Sequence, residues 1–130
     1  MTDPRDPREL VPLTPAVFHI MLVLADGEAH GYGIMLEVEE LTAGQVRLGP
    51  GTLYRSIQRM LVDGLIEEAG DRAGPEDDER RRYYRLTGFG RRVAEAEAQR
   101  LATLVDASAA RGLLPGRSGP GPEGGSADQG

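Results

Sequence analysis

The sequence predicts a mainly α-helical chain with one small β-hairpin and a further helix at the C-terminal side. Three observations predict it. Two apolar helical segments precede residue 42, with periodicity near 3.6. Residues 49–66 read as a two-faced helix that runs into a strand. Two strand-like runs, 65–68 and 80–86, flank a polar stretch at 70–79.

Residues 1–12 are charged and proline-rich, which predicts a disordered arm. Thr14-Pro15 then opens the first helix, as an N-cap followed by proline in the first turn. Val17, Ile20, Met21 and Leu24 share one face, and Phe18, Leu22 and Ala25 widen it. A helix apolar nearly all round is a buried one, and Gly27 ends it. The second helix is expected from Gly31 or Tyr32 to Leu41, with Ile34, Val38 and Leu41 inward and Glu37, Glu39 and Glu40 solvated. Ala43-Gly44 reads as a turn, and the alternation of Val46-Arg47-Leu48 predicts a short strand.

The third helix follows Pro50, with Gly49 as its N-cap and Gly64 as its stop. Leu53, Ile57, Met60 and Leu61 form its apolar stripe. Thr52, Arg55, Ser56 and Arg59 lie on the other side and carry donors that suit phosphates and base edges. Tyr54 divides evenly between a phosphate contact and core packing, and Gln58 between a base and solvent. The strand pair then forms a long-tipped wing. In its returning strand Arg81 points away from Arg80 and Arg82, so the three cannot all face one row of phosphates. Thr87 is the expected N-cap of a last helix reaching about Arg111. Val93, Ala94, Leu101, Leu104 and Val105 give that helix a partial apolar stripe, for which a second copy of the chain is the simplest partner. These parts make residues 13–86 a winged helix-turn-helix, 87–111 a dimerisation helix and 112–130 a disordered Gly/Pro/Ser-rich tail.

Composition narrows the function classes. The 130 residues contain no cysteine, which removes disulfides, thiolate metal sites and cysteine nucleophiles. The two histidines, His19 and His30, have no acid pair beside them, so structural roles are expected and no metal site; His30-Gly31-Tyr32 is expected to fix the start of the second helix. No nucleophile–base–orienter set is visible, so neither an enzyme nor a cofactor is expected. The longest apolar run, residues 20–25, is too short to span a bilayer and no secretory signal is visible, which predicts a cytoplasmic protein without a membrane partner. The net charge of −6 argues against nucleic acid, but its distribution does not. Residues 45–66 hold three arginines against one acid, and residues 80–92 hold six arginines and no acid. Local sign governs a DNA-facing surface, because charges beyond roughly 8 Å are screened at physiological salt.

Three strings, His30-Gly31-Tyr32-Gly33-Ile34, Pro50-Gly51-Thr52-Leu53-Tyr54-Arg55 and Arg82-Tyr83-Tyr84-Arg85-Leu86-Thr87 with Gly90-Arg91, stand in an order and spacing that resembles the PadR family of bacterial transcriptional regulators. The resemblance covers roughly residues 13–106, and the single C-terminal helix is similar to the smaller PadR subgroup. It implies a homodimeric winged-helix repressor of double-stranded DNA, with the third helix in the major groove and the wing on the flanking backbone. It also implies release by a small hydrophobic or phenolic effector, for which Phe18, Tyr32 and Leu101 are candidate pocket residues. The DNA-contacting candidates are Thr52, Tyr54, Arg55, Gln58, Arg59, Arg80, Arg81 and Arg82.

The chain departs from the family pattern twice. Gly49 stands where a serine often precedes the proline, a change worth only a few tenths of a kcal/mol. The wing tip is long and acidic, with Asp71, Glu76, Asp77, Asp78 and Glu79, which phosphate would repel. Those acids are expected to screen the wing arginines until DNA binds. The alternative function is a winged helix that binds another protein and has no DNA target, which the acidic total favours.

Overall fold

A computed structural model describes residues 4–73 and 80–115. The chain divides after Glu97 into two units. The first contains a 3-10 helix (Pro7–Leu10), α1 (Pro15–Ala25), β1 (Ala29–His30), α2 (Gly31–Leu41), α3 (Pro50–Val62), β2 (Ile66–Ala73) and β3 (Arg80–Leu86). α4 (Gly88–Ala110) begins in the first unit and supplies most of the described part of the second.

Each helix starts where its local chemistry dictates. Thr14 Oγ1 accepts the Val17 N–H at 3.3 Å, with Pro15 in the first turn of α1. His30 Nδ1 accepts the Gly33 N–H at 3.1 Å and caps α2. Thr87 Oγ1 accepts the Gly90 N–H at 2.9 Å and donates to the Gly64 carbonyl at 2.6 Å, so one hydroxyl caps α4 and ties it to the end of α3. Gly49 caps α3 without a side-chain bond. α3 stops in a Schellman turn, with the Leu65 N–H on the Met60 carbonyl and the Gly64 N–H on the Leu61 carbonyl.

The core joins Ile20, Met21, Val23 and Leu24 of α1, Ile34 and Val38 of α2, and Leu53, Ile57 and Met60 of α3. Leu65, Ile66, Tyr84, Phe89 and Val93 close it from the sheet and α4. Burying each large aliphatic side chain contributes about 2 kcal/mol, which is how α3 is held by one stripe with its other faces outward. α4 reaches this core because residue 90 is glycine: a Cβ there would collide with the Leu65 carbonyl, whose carbon would lie 2.8 Å away.

Several expectations are corrected. Residues 7–10, within the stretch whose composition predicts disorder, form the 3-10 helix capped by Asp6, and Leu10 and Val11 pack on the core. Val46-Arg47-Leu48 is not a strand. Thr42 Oγ1 accepts the Val46 N–H at 3.0 Å, so a side chain takes the donor a ladder would use, while Val46 and Leu48 still pack inward. The three-stranded sheet runs β1-β3-β2, all antiparallel, and its third strand is the two-residue β1 before α2. β2 extends to Ala73 through an irregularity between Glu68 and Asp71, where a loop from residue 70 was expected. Leu41 of α2 and Leu22 and Ala25 of α1 are exposed, contrary to their assignment to buried faces.

Candidate nucleic-acid interface

α3 turns Leu53, Ile57 and Met60 into the core and leaves Thr52, Arg55, Gln58 and Arg59 exposed. At 100° per residue Arg55 lies nearly opposite the buried stripe, with Gln58 beside it and Thr52 and Arg59 on the flank toward α1. Arg55 has no ion-pair partner among the described residues. Arg59 makes one loose i,i+4 contact, Nε to Asp63 Oδ2 at 3.4 Å.

The opposite flank of α3 meets the start of α2. Tyr54 is 47% exposed, and the hydroxyl end of its phenol lies against Gly31. A Cβ at residue 31 would sit within 2.8 Å of the ring carbon bearing the hydroxyl, so glycine there is the condition for this seat. Tyr54 therefore packs and remains accessible at once. Beside it, His30 meets the Tyr83 ring edge-on at 5.2 Å. Arg81 Nη1 lies 3.0 Å from His30 Nε2. Arginine only donates, and a neutral imidazole has one acceptor nitrogen, which already faces the Gly33 N–H. The Arg81 contact lies at the other ring nitrogen, so the two contacts call for opposite tautomers.

Arg82 and Arg85 of the wing are matched to acids. Arg82 lies 3.6 Å from Glu68 and 3.7 Å from Asp71. Arg85 bonds Glu67 at 2.8 Å and Glu28 at 3.3 Å, and these bonds hold its guanidinium above the ordinary arginine range. Burial pushes the Tyr84 phenol up, with the neighbouring Arg82 guanidinium pulling the other way. Arg81 and Arg82 leave β3 toward different partners, as strand alternation requires. The Arg80 side chain and the acids 76–79 lie outside the described residues.

An open cleft of about 690 Å³ runs between α3, the start of α2 and the wing. Of the residues expected to contact DNA, it brings together Tyr54, Gln58, Arg81 and Arg82. Sequence reasoning missed His30, Asp71 and Tyr84 on its walls. The His30-Gly31 string and the Tyr83-Tyr84 pair were the available signals, and only the fold puts them side by side. Thr52, Arg55 and Arg59 line a second cleft of about 460 Å³ on the α1 side of α3. Phe18 and Leu101, expected in an effector pocket, line neither cleft, and Tyr32 lines the first. Val93, expected at a dimer interface, is fully buried in its own domain's core, and Ala94 packs on the same core. In the second unit Leu101 and Val105 are half-buried and Leu104 is 52% exposed. Among the described residues no group of three or more His, Asp or Glu could hold a metal ion. No described helix is long and apolar enough to cross a membrane.

The chain matches the model of the transcriptional regulator PadR-like family over residues 20–96. It is 34% identical over 100 residues to the transcriptional regulator Rv3488 of Mycobacterium tuberculosis, across 77% of this chain and 83% of that one. It is 35% identical over 85 residues to an uncharacterized 37.1 kDa protein in transposon TN4556 of Streptomyces fradiae; that match spans 65% of this chain but only 22% of the relative. In fold it is similar to a PadR family transcription regulator from Clostridium difficile R20291, with a TM-score of 0.65 at 24% identity over 75% of this chain and 98% of that one. It is also similar in fold to Bacillus subtilis PadR, solved in complex with operator DNA, with a TM-score of 0.54 at 20% identity over 86% of this chain and 52% of that one. The family match takes in α2, α3, both wing strands and the start of α4, the parts that build the site. The chain belongs to the PadR-like family of transcriptional regulators.

Proposed function

We propose that the protein is a homodimeric, sequence-specific DNA-binding repressor, released from its operator by a small hydrophobic or phenolic effector. The observation that carries the reading is the outward face of α3: Thr52, Arg55, Gln58 and Arg59 present donors to solvent on a helix anchored by Leu53, Ile57 and Met60. Such a helix, set beside a wing, enters a major groove and reads base edges while arginine secures phosphates. The likeness in fold to Bacillus subtilis PadR, which is solved with operator DNA, supports the same reading.

Residues 13–86 carry the DNA contact in this reading, and the later turns of the helix expected over 87–111 carry the dimer. Leu101, Leu104 and Val105 share the i, i+3, i+4 face suited to a second copy. Val93 is fully buried in the core and leaves no surface for a partner, and Ala94 packs on the same core while staying partly exposed. A two-fold dimer would set its two α3 helices about 34 Å apart, on a pseudo-palindrome, and would act in the cytoplasm. The test is a gel shift of the full chain on its own upstream DNA across a salt series. A shift that weakens steeply with salt supports the reading. No shift at the lowest salt would favour a protein-binding winged helix.

A further inference from the structure

The first cleft, between α3, the start of α2 and the wing, brings two donors together. His30 Nδ1 accepts the Gly33 N–H at 3.1 Å and so caps α2. That bond needs the neutral ring with its proton on Nε2. Nε2 lies 3.0 Å from Arg81 Nη1, and a guanidinium can only donate. Whenever α2 is capped, an imidazole N–H and a guanidinium N–H therefore meet on the cleft wall. The Tyr83 ring packs edge-on to His30 at 5.2 Å and fixes the plane of the imidazole. Both His30 and Arg81 are half-buried, which limits how far either can swing away. Two such donors are satisfied together by one oxygen that accepts from both.

We propose that His30 Nε2–H and the Arg81 guanidinium together hold one backbone phosphate of DNA, which makes His30 a DNA-contacting residue. A phosphate oxygen between the two nitrogens accepts from both, and His30 keeps the tautomer that caps α2. The position of the cleft selects DNA as the occupant, and here the proposal rests on the DNA reading above. Gln58 of α3 bounds the cleft on one side and Arg82 of β3 on the other. With α3 in a major groove and the wing beside it, the DNA strand at the groove edge passes between them. The charge suits an anion. Arg81 and Arg82 line the cleft, and the one acid among the described lining residues, Asp71, already faces Arg82 at 3.7 Å. His30 adds a bond without adding charge. Arg81 supplies the charge, and because it already leans on His30 it contributes less than Arg55 does.

The test uses the full chain, whose two histidines make ring-nitrogen NMR simple to assign. His19 is the internal reference, because its Nδ1 faces the Pro15 carbonyl and carries the proton there. In the complex with the upstream DNA at pH 8, His30 should carry its proton on Nε2, and that proton should exchange with water more slowly than in the free chain. Inorganic phosphate at the same concentration should leave the exchange unchanged. In gel shifts His30→Asn should weaken binding about five-fold. Asparagine caps as well as any residue but sets no donor at the Nε2 position, so a role in capping alone predicts full affinity. Where this variant also lowers the melting temperature, the wild-type ring signal decides. In an Arg81→Gln background His30→Asn should cost about two-fold at most; an undiminished loss there would overturn the shared phosphate. Full affinity in a stably folded His30→Asn, or an Nε2 proton indifferent to bound DNA, overturns the proposal and leaves the DNA reading standing. An equal response to inorganic phosphate overturns DNA as the occupant. A chain that shifts no DNA at the lowest salt refutes the DNA reading and this proposal with it.

Discussion

α3 and the wing are both rich in arginine, yet they hold their charge differently. Arg55 on α3 has no ion-pair partner among the described residues, and Arg59 has one loose contact. In the wing, Arg82 faces Glu68 and Asp71, Arg85 bonds Glu67 and Glu28, and Arg81 leans on His30. Counting arginines would place the strongest positive field on β3. Tracing partners among the described side chains places the available charge on α3. Exposed ion pairs contribute little to stability, about 0–1 kcal/mol each, so the wing can exchange them for phosphates. Each exchange, however, removes an existing favourable contact and offsets the gain. A helix with unmatched arginine binds phosphate without that offset.

The comparison can be tested at several points. The largest effect is expected at the root of the wing. Gly90→Ala forces a Cβ onto the Leu65 carbonyl and should cost about 3 kcal/mol in a denaturant melt; a change below 0.5 kcal/mol would mean that α4 and β2 are not locked there. At the root of α3, Gly31→Ala displaces the Tyr54 phenol, the far end of an exposed side chain, and should cost about 1 kcal/mol or less. The double variant with Tyr54→Ala should cost about 0.5 kcal/mol less than the sum of the two single changes, and strict additivity would refute the contact. In binding, Arg55→Ala should weaken DNA affinity about ten-fold with no change in melting temperature. Glu68→Gln with Asp71→Asn releases Arg82 and should tighten DNA binding about two- to three-fold at low salt, whereas weaker binding would show that these acids position the wing. The smallest effect is expected from Gly49→Ser, which supplies the absent cap of α3 and should stabilise by a few tenths of a kcal/mol in the same melt.

Much of the fold was legible because its signals are local. Thr14-Pro15, Pro50 with the Leu53, Ile57 and Met60 stripe, and Thr87 each act within one helical turn, and the structure places α1, α3 and α4 accordingly. β3 spans Arg80–Leu86, the strand-like run expected there. The missed β1 and the extension of β2 came from partners distant in sequence, whereas the strand expected at 46–48 was pre-empted by a side chain four residues away. β1 is two residues long and exists only because β3 lies beside it, a relation no short window contains. The polar run after Glu68 looks like a loop, yet cross-strand pairing carries it to Ala73. Val46-Arg47-Leu48 has a strand's alternation, but the Thr42 hydroxyl holds the Val46 N–H. The candidate site shows the same limit. The face of α3 is readable from spacing alone. That Arg85 is matched by Glu28 and Arg81 by His30, each more than fifty residues away, is a property of the fold.

The central claim is that the positive charge available to DNA lies on α3 rather than on the wing. It is tested most directly by the salt dependence of DNA affinity for the full chain, compared among the wild type, Arg55→Ala and Arg82→Ala. The account predicts that Arg55→Ala lowers the slope of log affinity against log salt by about two, one phosphate for each protomer of the proposed dimer, while Arg82→Ala lowers it by less than about one. A slope unchanged in Arg55→Ala and strongly reduced in Arg82→Ala would contradict it.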